Sequence, residues 1–127
     1  SELEIFAKET HKYESRYLDG LIGPYPAQRD LYIERSPLFK ARNISAPVIF
    51  FQGDEDKIVP PNQAELMFEA VRAREIPTAY VLYQGEQHGF RKAENIQRTL
   101  EGRLYFYAKV FGLALTDDVP PLEIENL

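Results

Sequence analysis

Pro47-Val48-Ile49-Phe50-Phe51-Gln52-Gly53-Asp54-Glu55-Asp56-Lys57-Ile58-Val59-Pro60 is the stretch from which the fold is read. Val48 to Phe51 are apolar, high in β-propensity and free of polar alternation, the pattern of a strand buried on both faces in a parallel sheet. Gly53 ends the run, and Asp54, Glu55 and Asp56 follow at once. Carboxylates just past the C-terminal end of such a strand stand where open α/β sheets keep their ligands and chemistry. A second apolar run, Ala79 to Tyr83, leads into Gly85-Glu86-Gln87-His88-Gly89-Phe90. An acid and a histidine thus each follow a strand, in that order along the chain.

The connection between the strands opens with Pro60-Pro61 and carries a helical pattern to about Arg74. Ala64, Met67, Ala70 and Val71 make its apolar face, with Leu66 and Phe68 flanking, and proline is favoured at such a start. Pro77 closes the connection, and the second strand is expected from about Thr78 to Tyr83. Strand, helix and strand at this spacing imply a right-handed parallel crossover. Beyond His88, Ile96, Leu100, Leu104, Tyr107 and Phe111 fall at helical intervals, one face of a long helix ending at Gly112.

Upstream, residues 3 to 19 have roughly helical spacing with a thin aliphatic face, and Gly20 and Gly23-Pro24-Tyr25-Pro26 interrupt it. A short helix is expected over Gln28 to Glu34. Ser36 reads as the N-cap of another, with Pro37 at its first position and an end near Asn43. After Gly112, Asp117, Asp118, Pro120 and Pro121 predict an irregular or frayed tail.

The chain of 127 residues suits one domain. Its formal net charge of −5, with both signs interspersed, argues against a nucleic-acid or anionic-membrane binder, which needs a basic face. No cysteine is present, which removes disulfides, thiolate nucleophiles and Cys-ligated metals. No apolar run approaches the roughly 20 residues of a membrane span, and Ser-Glu-Leu-Glu has neither the basic nor the apolar region of a signal peptide. A cytoplasmic setting is the expectation.

Asp56, third after Gly53, is placed to turn back over the sheet edge. There it would orient His88 and stabilise its imidazolium form while the other ring nitrogen works as base. Taken singly, Asp56 also reads as a loop acid or helix cap, and His88 as an ordinary loop histidine. Together they read as two members of a Ser-Asp-His system. Ser1, Ser15, Ser36 and Ser45 all lack the Gly-x-Ser-x-Gly frame of a nucleophile elbow, so the serine is expected upstream, outside this chain. The cluster Asp54-Glu55-Asp56 lacks the frame of an EF-hand, and His11 and His88 alone do not make a zinc site. No metal or cofactor is expected. Gln63 is expected to cap or pack near the acidic loop, and Tyr105, Phe106 and Tyr107 to serve core and interface.

Gly53-Asp54-Glu55-Asp56-Lys57-Ile58-Val59-Pro60 with Gln63, followed by Tyr83 and Glu86-Gln87-His88-Gly89-Phe90, resembles the C-terminal end of the prolyl oligopeptidase family of serine peptidases. The likeness is to its acylaminoacyl-peptidase and dipeptidyl-peptidase branches. Gly23-Pro24-Tyr25-Pro26 and Glu34-Arg35-Ser36-Pro37-Leu38 look like the segment before the aspartate strand in those enzymes, and the resemblance runs from about residue 13 to 112. It implies an α/β fold, the C-terminal portion of an α/β-hydrolase sheet with about two parallel strands and flanking helices. Residues 1–127 would then be a C-terminal fragment of a peptidase catalytic domain, with 113–127 an irregular tail. Asp56 and His88 would be its catalytic acid and base, and the reaction acyl transfer from a peptide substrate to water. A dienelactone-hydrolase-like esterase shares the Asp-x-x-Val-Pro loop and His-Gly turn and is the alternative. So is a non-catalytic piece held together by self-association. Because two strands cannot bury themselves, the partner expected is the remaining part of the catalytic domain or a second copy of this chain. No nucleic acid and no membrane are expected as partners.

Overall fold

The computed structural model describes residues 1–127. In chain order the helices are α1 (Leu3–Glu9), α2 (Tyr17–Leu21) and α3 (Arg29–Arg35), then a 3₁₀ segment (Pro37–Asn43). Strand β1 (Val48–Gly53), helix α4 (Pro61–Arg72), strand β2 (Thr78–Tyr83) and helix α5 (Ala93–Phe111) follow. The strands pair in parallel from Val48 opposite Thr78 to Gly53 opposite Tyr83, so both end at one level and the loops that leave them are neighbours. Helix α4 is the crossover that a parallel pair requires, and it packs against both strands. Its Val71 is fully buried, with Ala79 of β2 nearly so. Gly112, in the left-handed conformation at φ 65°, ends α5 where the sequence expects it, because no Cβ opposes that turn.

Burial departs from the sequence reading. Val48 to Phe51 are only half-buried, and within β1 burial is complete only at Gln52 and Gly53. The physical reason is the size of the sheet: with two strands each has one unpaired edge, and α4 and α5 do not cover both faces. Helix α5 turns Gly102, Phe106 and Ala108 inward. An added Cβ at Gly102 would meet Leu122 at 3.3 Å and the Phe51 ring at 3.4 Å, so the glycine lets the helix lie close on the strand. The apolar repeat of α5 faces outward instead: Ile96, Leu100, Leu104, Tyr107 and Phe111 are 42 to 69% exposed.

The tail after Gly112 has neither helix nor strand, yet it is held. Thr78 and Glu125 exchange both backbone hydrogen bonds, at 3.1 and 2.8 Å. The Arg98 guanidinium donates to the carbonyls of Pro120 and Pro121, and the Asn126 amide donates to that of Arg72. Prolines with no amide to donate leave these carbonyls as the groups that tie the segment down.

Two local expectations are corrected. Ser36 precedes the 3₁₀ segment but does not cap it with its side chain. Its buried hydroxyl accepts from Leu3 N at 2.8 Å and donates to Tyr32 O at 2.6 Å, joining α1 to α3. Gln63 makes no side-chain hydrogen bond to the acidic loop. It is buried and pairs reciprocally with the backbone of Glu2, accepting from Glu2 N at 2.7 Å and donating to Glu2 O at 3.0 Å. Helix α1 is thereby fastened to both α3 and α4 by single polar side chains. Ser36→Ala is expected to cost about 1–2 kcal/mol through the amide it leaves unpaired. A fall in the chemical denaturation midpoint checks this, and an unchanged midpoint would show that Leu3 N finds water instead.

Candidate active site

Three acidic residues leave the end of β1, and the fold sends their side chains in different directions. The carboxylate of Asp54 accepts the Gly85 amide at 2.8 Å, pinning the loop after β1 to the loop after β2. Glu55 is exposed. Asp56 turns back and is buried: its Oδ1 accepts the amides of Ile58 and Val59 at 3.0 and 2.8 Å. The Gln52 side-chain amide donates to Oδ2 at 3.3 Å, and also to the carbonyls of Gly53 and Val59. The two amides and the Gln52 side chain hold the carboxylate in one orientation.

His88 completes the set. Its Nδ1 lies 3.0 Å from Asp56 Oδ2. With the carboxylate as acceptor, Nδ1 is the donor, and Nε2 is the ring nitrogen left free to take a proton. The imidazole side chain is 52% exposed and the Asp56 side chain 7%. A buried acid holding a half-exposed imidazole by one nitrogen is the arrangement in which the other nitrogen exchanges protons with a reacting group. Two clefts meet at His88. One, about 220 Å³, is walled by Phe51, Gly53, Val59 and Phe90; the other, about 190 Å³, by Glu55, Lys57, Ile58 and Arg91.

Beneath the site, Tyr83 stacks on Phe51 with ring centroids 6.4 Å apart, and Phe90 stands edge-on to Tyr83 at 5.0 Å. Burial pushes the Tyr83 hydroxyl above its ordinary range, against the pull of its hydrogen bond to Thr99 and the charge of Arg98. Tyr83 is therefore a neutral floor that carries both Phe51 and Phe90.

Sequence reasoning missed Glu86. Its side chain is 2% exposed and forms no ion pair. The carboxylate instead accepts the amides of Arg91 at 2.9 Å and Lys92 at 3.3 Å. These bonds close a short loop with His88 inside it and satisfy donors at the start of α5, whose N-cap residue Lys92 offers no side-chain cap. The Glu86 carbonyl accepts the Glu55 amide at 3.0 Å. A Cβ added at Gly53 would fall inside contact distance of that carbonyl and 2.6 Å from the carbonyl of Gln87. The one signal in the sequence was a glutamate seven residues before the start of a helix, on the wrong side of the N-cap for a capping box.

Comparisons with known proteins place the chain in a family. Residues 2–114 match the prolyl oligopeptidase family, and the chain belongs to it. It is 40% identical over 62 residues to dipeptidyl aminopeptidase BIII of Pseudoxanthomonas mexicana, a match covering 49% of this chain and 9% of that protein. A puromycin-hydrolyzing peptidase of Mycobacterium tuberculosis superimposes with a TM-score of 0.89 at 43% identity, over 98% of this chain and 19% of that one. A puromycin hydrolase superimposes with a TM-score of 0.87 at 41% identity, over 97% and 19%. The fold is that of the α/β-hydrolase peptidases of this family, and the chain spans about a fifth of the solved chains it matches. No helix is long and apolar enough to cross a membrane.

Glu86→Ala strips the acceptor from the Arg91 and Lys92 amides and is expected to cost about 1–3 kcal/mol. Gly53→Ala is expected to force the two loops apart by its new methyl group. In both variants the His88 Nδ1 proton should lose its downfield hydrogen-bonded resonance, and its persistence would show that the loops hold without these contacts.

Proposed function

We propose that this chain supplies the acid and the base of a serine peptidase, with Asp56 as orienting carboxylate and His88 as general base and then general acid. The nucleophilic serine belongs to the longer polypeptide of which this chain is a piece. The observation that carries the reading is the 3.0 Å contact between buried Asp56 and half-exposed His88 at the C-terminal ends of paired parallel strands. Family membership over residues 2–114 supports it and favours a peptidase over the esterase alternative. In the reaction, Nε2 of His88 takes the serine hydroxyl proton as the oxygen attacks the scissile carbonyl. It returns a proton to the leaving nitrogen as the C–N bond breaks, and water then repeats the exchange on the acyl-enzyme.

In the full polypeptide, His88→Ala and Asp56→Asn are each expected to lower kcat on peptide substrates by about 10³-fold or more with little change in KM. Turnover indifferent to His88→Ala would overturn the assignment. Parallel profiling on aryl esters and peptides separates the peptidase from the esterase.

A second reading concerns the uncovered faces. The outward stripe of α5 and the free strand edges are what a sheet interrupted between strands leaves bare. We assign the rest of the catalytic domain as their cover. Without it, the isolated chain is expected to self-associate and to show no triad-dependent hydrolysis. Light scattering is the check, and a stable, folded monomer would count against the reading.

A further inference from the structure

The cleft walled by Glu55, Lys57, Ile58 and Arg91 opens directly onto His88, and its charge has no use in the mechanism above. Lys57 and Arg91 are both exposed. The ion pairs that lysine and arginine make in the chain join Glu4 to Arg29 and Glu69 to Arg72. Neither Lys57 nor Arg91 is among them, although Glu55 lines the same cleft and the chain as a whole carries a net charge of −5. In an acidic protein, two cations left unpaired at the mouth of one small cleft form a local positive field.

The direction of proton transfer says what that field meets. When the tetrahedral intermediate collapses, the C–N bond breaks, its electron pair stays on nitrogen, and the proton on His88 Nε2 moves to that nitrogen. The leaving residue must therefore lie against His88, beside whatever walls the cleft there. The other cleft at His88 is bounded by Phe51, Val59 and Phe90 and offers no such charge. The cleft has a volume of about 190 Å³.

We propose that Lys57 and Arg91 form a leaving-group subsite that takes a carboxylate. The carboxylate is either the acidic side chain of the residue after the scissile bond or the free C-terminal carboxylate of a one- or two-residue leaving group. The proposal rests on the role given to His88. Lys57 and Arg91 act as specificity-determining residues: they touch the departing half of the substrate and do not take part in proton transfer.

The test uses the full polypeptide and three peptides with one acyl side. The leaving side is aspartate amide, glycine with a free carboxylate, or glycine amide. A carboxylate-bearing leaving group is expected to raise kcat/KM about fivefold over glycine amide at low salt, the size of a pair of partly exposed charge contacts, and less so at high salt. Preference for the aspartate amide alone names the side chain as the source; preference for the free glycine alone names the terminus. Lys57→Ala combined with Arg91→Ala should bring the ratio to about one, whatever the absolute rates. Lys57→Glu with Arg91→Glu should reverse it toward a lysine amide leaving group. Equal kcat/KM on all three peptides, or a preference that survives both double variants, overturns the subsite. If such turnover still depends on His88, the triad reading stands and only the subsite falls; if no peptide is turned over in a His88-dependent way, both fall.

Discussion

The backbone of Gly53 lies so close to the carbonyls of Glu86 and Gln87 that no side chain fits between them. Two parallel strands in register end side by side, but register alone leaves their loops free to diverge. Gly53 allows the loops to approach closely enough to be bonded together. They are bonded by the Glu55 amide on the Glu86 carbonyl and by the Asp54 carboxylate on the Gly85 amide. The Asp56–His88 bond is a consequence of this fastening: a half-exposed imidazole with one held nitrogen has little else to define its position.

The acidic side chains around the site divide the labour of placing it. Asp54 joins loops, Asp56 holds the histidine, and Glu86 closes the histidine loop on the start of α5. None of them shares a cation. Backbone amides and one glutamine amide stabilise the buried carboxylates, which keeps them fixed without the side-chain disorder of a long Lys or Arg partner. Positive charge is left for the exposed Lys57 and Arg91, which line the smaller cleft at His88.

The same chain is finished at one end of its sheet and bare elsewhere. The tail segment closes the outer edge of β2 at Thr78 through the Glu125 bridge, and Asn126 binds the C-terminal end of α4. The apolar stripe of α5 has no such cover. Helix α5 thus meets the strand through a glycine-lined contact and leaves its apolar row exposed in these 127 residues.

Local pattern was enough for the elements and singled out Asp56 and His88, whose side chains the fold brings into contact. An unbroken apolar run, a glycine, three acids and a proline-started helix define strand, loop and crossover through short-range sterics and hydrophobic period. Asp56 and His88 were legible because each follows a strand by a few residues. What only the tertiary structure decided are the long-range choices of polar side chains. Ser36 binds Leu3 rather than its own helix, Gln63 binds Glu2 rather than the acidic loop, and Glu86 binds amides beyond His88. The outward turn of the α5 repeat belongs with them. Hydrogen-bond partners and buried faces depend on which surfaces the fold brings together, and periodicity reports only that an apolar face exists, not what it meets.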